Sequence, residues 1–503
     1  MTHLTRRGFL AAGAALASVA ALPRMVMANA PLALRTAARV IEVDGKPATL
    51  FGVEGPAGQG LILDPGQRFQ VELTNGIDLP TLLHWHGQVP PYEQDGVPDL
   101  PLPPLKPGEA RGYDYAPLPG TYWMHAHIPL QEMRGLAAPL IVRSLEDAAA
   151  DRQEVVMFLQ DFSFKSPEEI MAVIAEGHGG GHDMGTHQMP AASTGQGMEM
   201  DHSAMGHDMG GMSMDHSAMG GMAMGGMAMD GMQMDLNDYD WDAYLVNDRT
   251  LADPQVVRID KGGRLRLRII NAASATTFWI DTGAAKARLV AVDGHAVIPV
   301  EGSRFGLSMA QRMDLELDLS GEGVWPILAL REGARERTGL ILATANAQVE
   351  KLEVMGNEDA PAFDIDLSQE LRLQAAENLP QRDADRTHMV MLGGSMQPYV
   401  WTIDGKTWGD HKALAAKTGE RVEIMFHNMS MMGHPMHLHG HVFQVVGING
   451  KRVNGARRDT VYVPPNAMVT IAMDAGEAAR WMLHCHHIPH LETGMMTEFA
   501  VTG

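Results

Sequence analysis

"GQRFQVELTN" (Gly66–Asn75) decides the fold, because the chain writes it three times. "GGRLRLRIIN" occupies Gly262–Asn271 and "GERVEIMFHN" occupies Gly419–Asn428. Each copy runs Gly, any residue, Arg, then an alternating stretch that ends on Asn, seven places after the Arg. Apolar residues at every second position mark a β-strand with one buried face. The arginines, at 68, 264 and 421, are 196 and 157 residues apart, and a Met/Gly/His-rich segment lies inside the first interval. Without it both intervals approach about 150 residues, the size of one β-sandwich with its loops. The expectation is an all-β protein of three homologous domains, 31–150, 151–348 and 349–503. Frequent Gly and Pro (54 and 29) and few helix-period runs agree with it.

The residues after each Asn separate the copies. Nine residues after Asn75 comes "HWHG" (His84–Gly87), and nine after Asn428 comes "HLHG" (His437–Gly440). Nine after Asn271 comes Ile280, with no histidine nearby. The outer domains also end alike, on "YWMHAHIP" and "WMLHCHHIP". His125 and His127 match His484 and His486, and Ala126 stands where Cys485 stands. Random pairing of 23 histidines in 503 positions gives roughly one His-x-His. There are five here, at 84/86, 125/127, 437/439, 439/441 and 484/486, and all but 439/441 sit at matching places in two domains.

Cys485 is the only cysteine, so no intrachain disulfide exists. It is core filler, a reactive thiol or a metal ligand. In a strand, neighbouring side chains point to opposite faces, so His-x-His aims two imidazoles one way and the central thiol the other. Two His, one Cys and a distant Met make the blue-copper donor set. "HCHHIPHLETGM" supplies His490 and Met495, five and ten residues after Cys485, and "HPMHLH" offers His434. His487 and His441 fit no ligand spacing and read as structural. Thiolate, thioether and imidazole favour copper over Mg or Ca, with zinc the competing metal.

"HWHG", "HAH", "HPMHLHGH" and "HCHHIPHLETGM", in this order, resemble the copper motifs of multicopper oxidases, across all three domains. "GTYWMHAH" followed by "LQEMRGL", and "VWTIDGKTW", are similar to the bacterial periplasmic copper-tolerance oxidases. The resemblance implies three cupredoxin-like Greek-key β-sandwiches and four copper ions. Cys485, His434 and His490, with Met495 axial, would hold the type 1 copper. His84 and His437 would hold the type 2 copper. His86, His125, His127, His439, His484 and His486 would hold the type 3 pair. Asp95, in "EQDGVP", would assist proton delivery to O2. One departure is Leu491, which follows His490 where some bacterial relatives carry an acid.

Residues 178–236 differ from the rest: 15 of the 38 methionines fall between Met184 and Met234, and "DHSAMG" occurs twice. Gly, Asp and His interrupt any apolar face, so a helical core stripe does not explain them. Thioethers select Cu(I), and the expectation is that this insert binds further cuprous ions. In related cuprous oxidases such a segment is expected in domain 3; here it emerges from early domain 2. "SPEEIMAVIAEG" ahead of it predicts a short helix, with Ser166 as cap and Pro167 in the first turn.

The net charge of −22 and the lack of a basic stripe argue against a nucleic-acid partner and suit a cationic one. "TRRGFL", an apolar run from Phe9 to Leu22 and small residues near Ala28 predict a leader over 1–28 of the twin-arginine type, and a periplasmic destination. The run is too short to span a bilayer, and no membrane contact is expected after cleavage. A monomer is expected. The activity implied is oxidation of Cu(I) coupled to reduction of O2 to water. The rival readings are a laccase-like phenol oxidase and a periplasmic copper-sequestering protein without turnover.

Overall fold

The structure, a computed structural model, describes residues 30–177 and 236–503. The leader at 1–28 and the insert up to residue 235 lie outside the described residues. Among those described, strands dominate and the longest helix is Pro167–Ala175, 9 residues. It starts where expected: the Ser166 side chain accepts from the Glu169 amide, the Glu169 carboxylate accepts from the Ser166 amide, and Pro167 opens the first turn.

Among the described residues, six sheets fall into successive pairs along the chain, within Leu32–Val142, Gln153–Thr344 and Arg386–Thr502. The architecture is all-β sandwich. The repeated sequence occupies one position three times over. Phe69–Asn75 runs parallel to Leu32–Val43 and antiparallel to Ala110–Tyr115. Arg264–Asn271 lies likewise between Gln153–Phe162 and Arg312–Asp318. Arg421–Asn428 lies between Arg386–Met396 and Met468–Asp474. The alternating apolar residues, such as Phe69, Val71 and Leu73 or Val422, Ile424 and Phe426, are buried between the sheets. Each contributes about 1.5–3 kcal/mol by leaving water.

The closing Asn has a structural reason. Asn75 Nδ2 donates to the Leu79 and Leu105 carbonyls (2.8 and 2.9 Å), and its Oδ1 accepts from the Ile77 amide. Asn271 does the same with Thr276, Leu307 and Ala273. Asn428 does so with Met432, Val463 and Ser430. A buried amide with its donors and its acceptor satisfied pins the loop that leaves the strand. In the outer domains that loop delivers the histidine strands. Leu83–His84 pairs with Gly120–Ala126, setting His84 opposite His125. His434–Leu438 pairs with Arg480–Cys485, setting His437 opposite His484.

The middle domain contributes cations that tie the others together. Arg312 is fully buried; it donates to Asp459 Oδ1 (2.7 Å) and to the Thr121 carbonyl (3.2 Å). Arg268 donates to Thr121 Oγ1 (3.0 Å) and Asp314 Oδ2 (3.1 Å). Buried charges persist only when paired, so these contacts clamp the outer domains in one relative position.

Candidate metal centre

The ten histidines singled out in the sequence are all buried, and so is Cys485. The structure gathers them into two clusters on either side of the Arg480–Cys485 strand end. In the first, donor atoms of His86, His125 and His486 lie within 4.8 Å of one another, as do those of His127, His439 and His484. His84 and His437 face each other, Nε2 to Nε2, at 3.4 Å.

The outer nitrogens decide what the inner ones can be. His84 Nδ1 donates to the Asp95 carbonyl (2.8 Å) and His437 Nδ1 to the Asp459 carbonyl (2.9 Å). His484 Nδ1 donates to the Cys485 carbonyl (3.0 Å) and His439 Nδ1 to Asp95 Oδ2 (2.8 Å). His125 Nδ1 sits 2.7 Å from Glu132 Oε2, and His86 is turned round, with Nε2 3.1 Å from Asp459 Oδ1. Each ring therefore spends its N–H outward. Burial holds His86, His125, His127, His437, His439, His484 and His486 below the usual imidazole range, so they are neutral. Bare lone pairs then face one another at 3.4 Å (His84–His437), 3.1 Å (His439–His484) and 3.4 Å (His86 Nδ1–His125 Nε2). Lone pairs repel at such distances unless a cation lies between them. The donor set fits metal ions and little else.

The second cluster is built on the thiol. Cys485 Sγ lies 3.6 Å from Nδ1 of both His434 and His490, and those nitrogens are 3.2 Å apart. Of the far nitrogens, His434 Nε2 is 2.7 Å from Ser430 Oγ, whereas His490 Nε2 makes no hydrogen bond and has Asp238 Oδ2 beside it at 3.4 Å. Trp401 stacks on His490 at 4.0 Å. Met495 is buried; its amide donates to the His490 carbonyl (3.0 Å) and its carbonyl accepts from the Cys485 amide (3.1 Å). Burial pushes the Cys485 thiol well up, so a thiolate here needs a bound cation. Sulfur with two imidazoles fits copper. The alternation expected of "HCH" is realised: the thiol turns to His434 and His490, and its neighbours turn to the histidine cluster.

His441 and His487 stand outside both donor sets. His441 uses both nitrogens, on the His439 carbonyl (3.0 Å) and the Gly476 amide (2.9 Å). His487 stacks on His490 at 3.8 Å and lies 3.4 Å from Asp238. Three buried acids escaped the sequence reading: Glu132, Asp459 and Asp238. Burial raises the Glu132 and Asp238 carboxyls. Asp459 is also opposed by burial, but the Arg312 guanidinium and the hydrogen bonds from His437 and His86 outweigh it and hold it ionised. Glu132 stands within "LQEMRGL", the one place where a signal was within reach.

The described ends of the Met-rich segment both meet this region. The Glu176 carbonyl accepts from Gln397 Nε2 (3.5 Å), in the hairpin that carries Tyr399 and Trp401. Asp238, two residues past the segment, touches His490 and His487 and accepts from the Tyr399 hydroxyl.

Multicopper oxidase family models match residues 36–147, 223–350 and 381–503. The chain belongs to the multicopper oxidases. It is therefore an oxidoreductase of the O2-using class. "Multicopper oxidase MmcO" of Mycobacterium tuberculosis is 29% identical over 436 residues, 86% of this chain and 79% of that one. "Copper resistance protein A" of Escherichia coli is 23% identical over 554 residues, 90% and 88%. The crystal structure of Fet3p, titled a multicopper oxidase that functions in iron import, superposes with a TM-score of 0.70 at 17% identity, over 93% of this chain and 90% of that one.

Proposed function

We propose that this multicopper oxidase converts Cu(I) to Cu(II) in the periplasm, as part of copper tolerance. Four cuprous ions would each give up one electron, and O2 with four protons would become two waters. Bound copper supplies the one-electron redox chemistry. Cys485, His434 and His490, together with Met495, would hold one copper. His84 and His437 would hold a second. His86, His125 and His486 would hold a third, and His127, His439 and His484 a fourth.

The chain's own residues do the rest. Cys485 turns its sulfur to one cluster while the flanking His484 and His486 turn to the other, which gives charge a short covalent path between them. Asp95 accepts from His439 Nδ1 on Oδ2, and its Oδ1, which has no hydrogen-bond partner, is the atom that would assist proton delivery to O2. Asp459 orients His86, and Arg312 keeps Asp459 ionised. Burial of both clusters keeps bulk water off the reacting centre.

The observation that carries the cuprous reading is that the described residues flanking a segment with 15 methionines contact the surroundings of the thiol cluster, Glu176 through Gln397 on one side and Asp238 through His490 on the other. Thioethers there would gather cuprous ions beside His490. The test is O2 uptake with Cu(I) and with a phenol, on intact protein and on protein lacking residues 184–234. Loss of cuprous oxidation with phenol oxidation retained is the expected result. Unchanged cuprous kinetics would favour the laccase-like reading, and no O2 uptake at all would favour sequestration. The periplasmic destination rests on the leader at 1–28, and the N-terminal sequence of exported protein checks it.

A further inference from the structure

In the described chain beyond residue 372, every exposed large apolar side chain is a methionine: Met389 (62%), Met391 (41%), Met429 (57%) and Met431 (37%). The preceding described residues expose Val, Ile, Leu and Phe instead, with the single exception of Met355. Scattered exposed apolar residues need no explanation, but a change of residue type confined to one domain does.

Strand register puts these side chains together. Met389 is the neighbour of Met425, and Met391 of His427, across the parallel pair Arg386–Met396 and Arg421–Asn428. His427 is in turn the neighbour of Met468, across the antiparallel pair with Met468–Asp474. Side-by-side residues point to the same face of a sheet and lie about 4.8 Å apart. The outer face of this sheet thus carries the row Met391, His427, Met468, with Met389 and Met425 in the next row. The Met429 amide donates to the Leu392 carbonyl (2.9 Å), which holds the following residues against the same edge. Strand formation favours β-branched and aromatic residues, and solvent favours polar ones. Neither asks for methionine. What these positions share is sulfur, beside one imidazole.

We propose that this face binds cuprous ions, with two to four donors at a time drawn from the thioethers of Met389, Met391, Met425, Met429 and Met468 and the His427 imidazole. Thioether and imidazole form a soft set that selects Cu(I) over hard cations. The site is separate from the histidine and thiol clusters, yet the segment after Asn428 joins it to them: Ser430 Oγ lies 2.7 Å from Nε2 of His434. Its purpose as an acquisition site rests on the cuprous-oxidase reading; its capacity to bind does not.

The test is titration of the full-length, copper-loaded protein with Ag(I), a soft d10 ion that the enzyme does not oxidise. Methionine methyl groups are labelled with 13C and followed by NMR, which reports each methionine separately. The resonances that vanish in Met389→Leu, Met391→Leu and Met425→Leu should be among those that move first on adding Ag(I). The triple Leu variant, whose changed side chains are exposed or half-buried and of similar volume, should raise KM for Cu(I) by roughly tenfold at unchanged kcat and leave phenol oxidation alone, the signature of lost ground-state binding. Resonances from these residues that stay fixed while others shift would overturn the proposal. Methyl shifts in a protein that fails to oxidise Cu(I) would uphold this site and sink the cuprous-oxidase reading.

Discussion

The first and third domains are the same machine with and without a thiol. Ala126 and Cys485 hold equivalent places: each is one residue beyond a cross-strand His pair, and each amide donates to a carbonyl ten residues on, Leu136 (2.9 Å) or Met495 (3.1 Å). The Leu136 amide donates to the Gln131 carbonyl as the Met495 amide donates to that of His490. So Gln131 stands for His490, and Thr81, three residues before His84, stands for His434. In place of two imidazoles facing a sulfur, Thr81 Oγ1 donates to Gln131 Oε1 at 2.6 Å. The sandwich keeps its geometry either way. The thiol cluster is therefore an addition to a scaffold that is stable without it.

The largest effect should come from erasing that difference. Cys485→Ser leaves a hydroxyl where the first domain has a methyl, and because Ala126 supports an intact sandwich, the variant should fold. The expected result is loss of the blue absorption and of turnover to background, with a melting temperature within a few degrees of the parent. Visible spectra and calorimetry on one preparation check both halves. Retained colour and turnover would break the assignment of the thiol.

The same equivalence explains the acid missing from the third domain. The Glu132 amide donates to the Ile128 carbonyl as the Leu491 amide donates to that of His487, so Glu132 is the counterpart of Leu491. The carboxylate has changed domains. From the first it reaches His125 Nδ1 at 2.7 Å and His486 Nδ1 at 3.8 Å. Glu132→Leu should cost about 10–100-fold in copper affinity or activity, the usual scale for a group that orients a ligand histidine. Copper content per protein, read alongside turnover, separates the two. Adding Leu491→Glu should restore part of the loss if an acid at either counterpart serves.

The repeat, the all-β class and the separation of the domains that carry His-x-His pairs from the one that carries none were legible because period two and exact spacing survive in one dimension. So was the division of labour within "HCH", which follows from strand alternation alone. Glu132, Asp459, Asp238 and the Arg312 clamp were not legible. Each acts across a domain boundary, on a partner as far as 373 positions away in the chain, and a single acidic residue carries no periodic signal. The Asn that closes each repeat was visible as a pattern, but its reason, three hydrogen bonds to a departing loop, needed the structure.

That Asn sharpens the comparison at a smaller scale. Asn75→Ala, Asn271→Ala and Asn428→Ala each orphan two carbonyls and an amide, a cost of about 1–3 kcal/mol in stability at every site. Only the changes at 75 and 428 should lower activity, since only their loops deliver histidines. Equal activity losses at all three would mean the middle domain does more than clamp.

The middle domain should instead set a pH limit. Burial raises the Glu332 carboxyl to about 7, against hydrogen bonding from the Phe363 amide and Thr277. A carboxyl that binds its proton more tightly when folded stabilises the protein fully below its unfolded pKa, and that stability fades as pH rises through the folded value. Glu332→Gln keeps an acceptor for the Phe363 amide without a charge to bury. Relative to the parent, the variant should gain up to about 3 kcal/mol between pH 5 and pH 8, since each tenfold change in proton affinity is worth roughly 1.4 kcal/mol. Melting curves of both proteins at the two pH values measure it. A gain that appears equally in phenol turnover would place Glu332 in communication with the histidine and thiol clusters, and a gain confined to stability keeps the middle domain in its structural role.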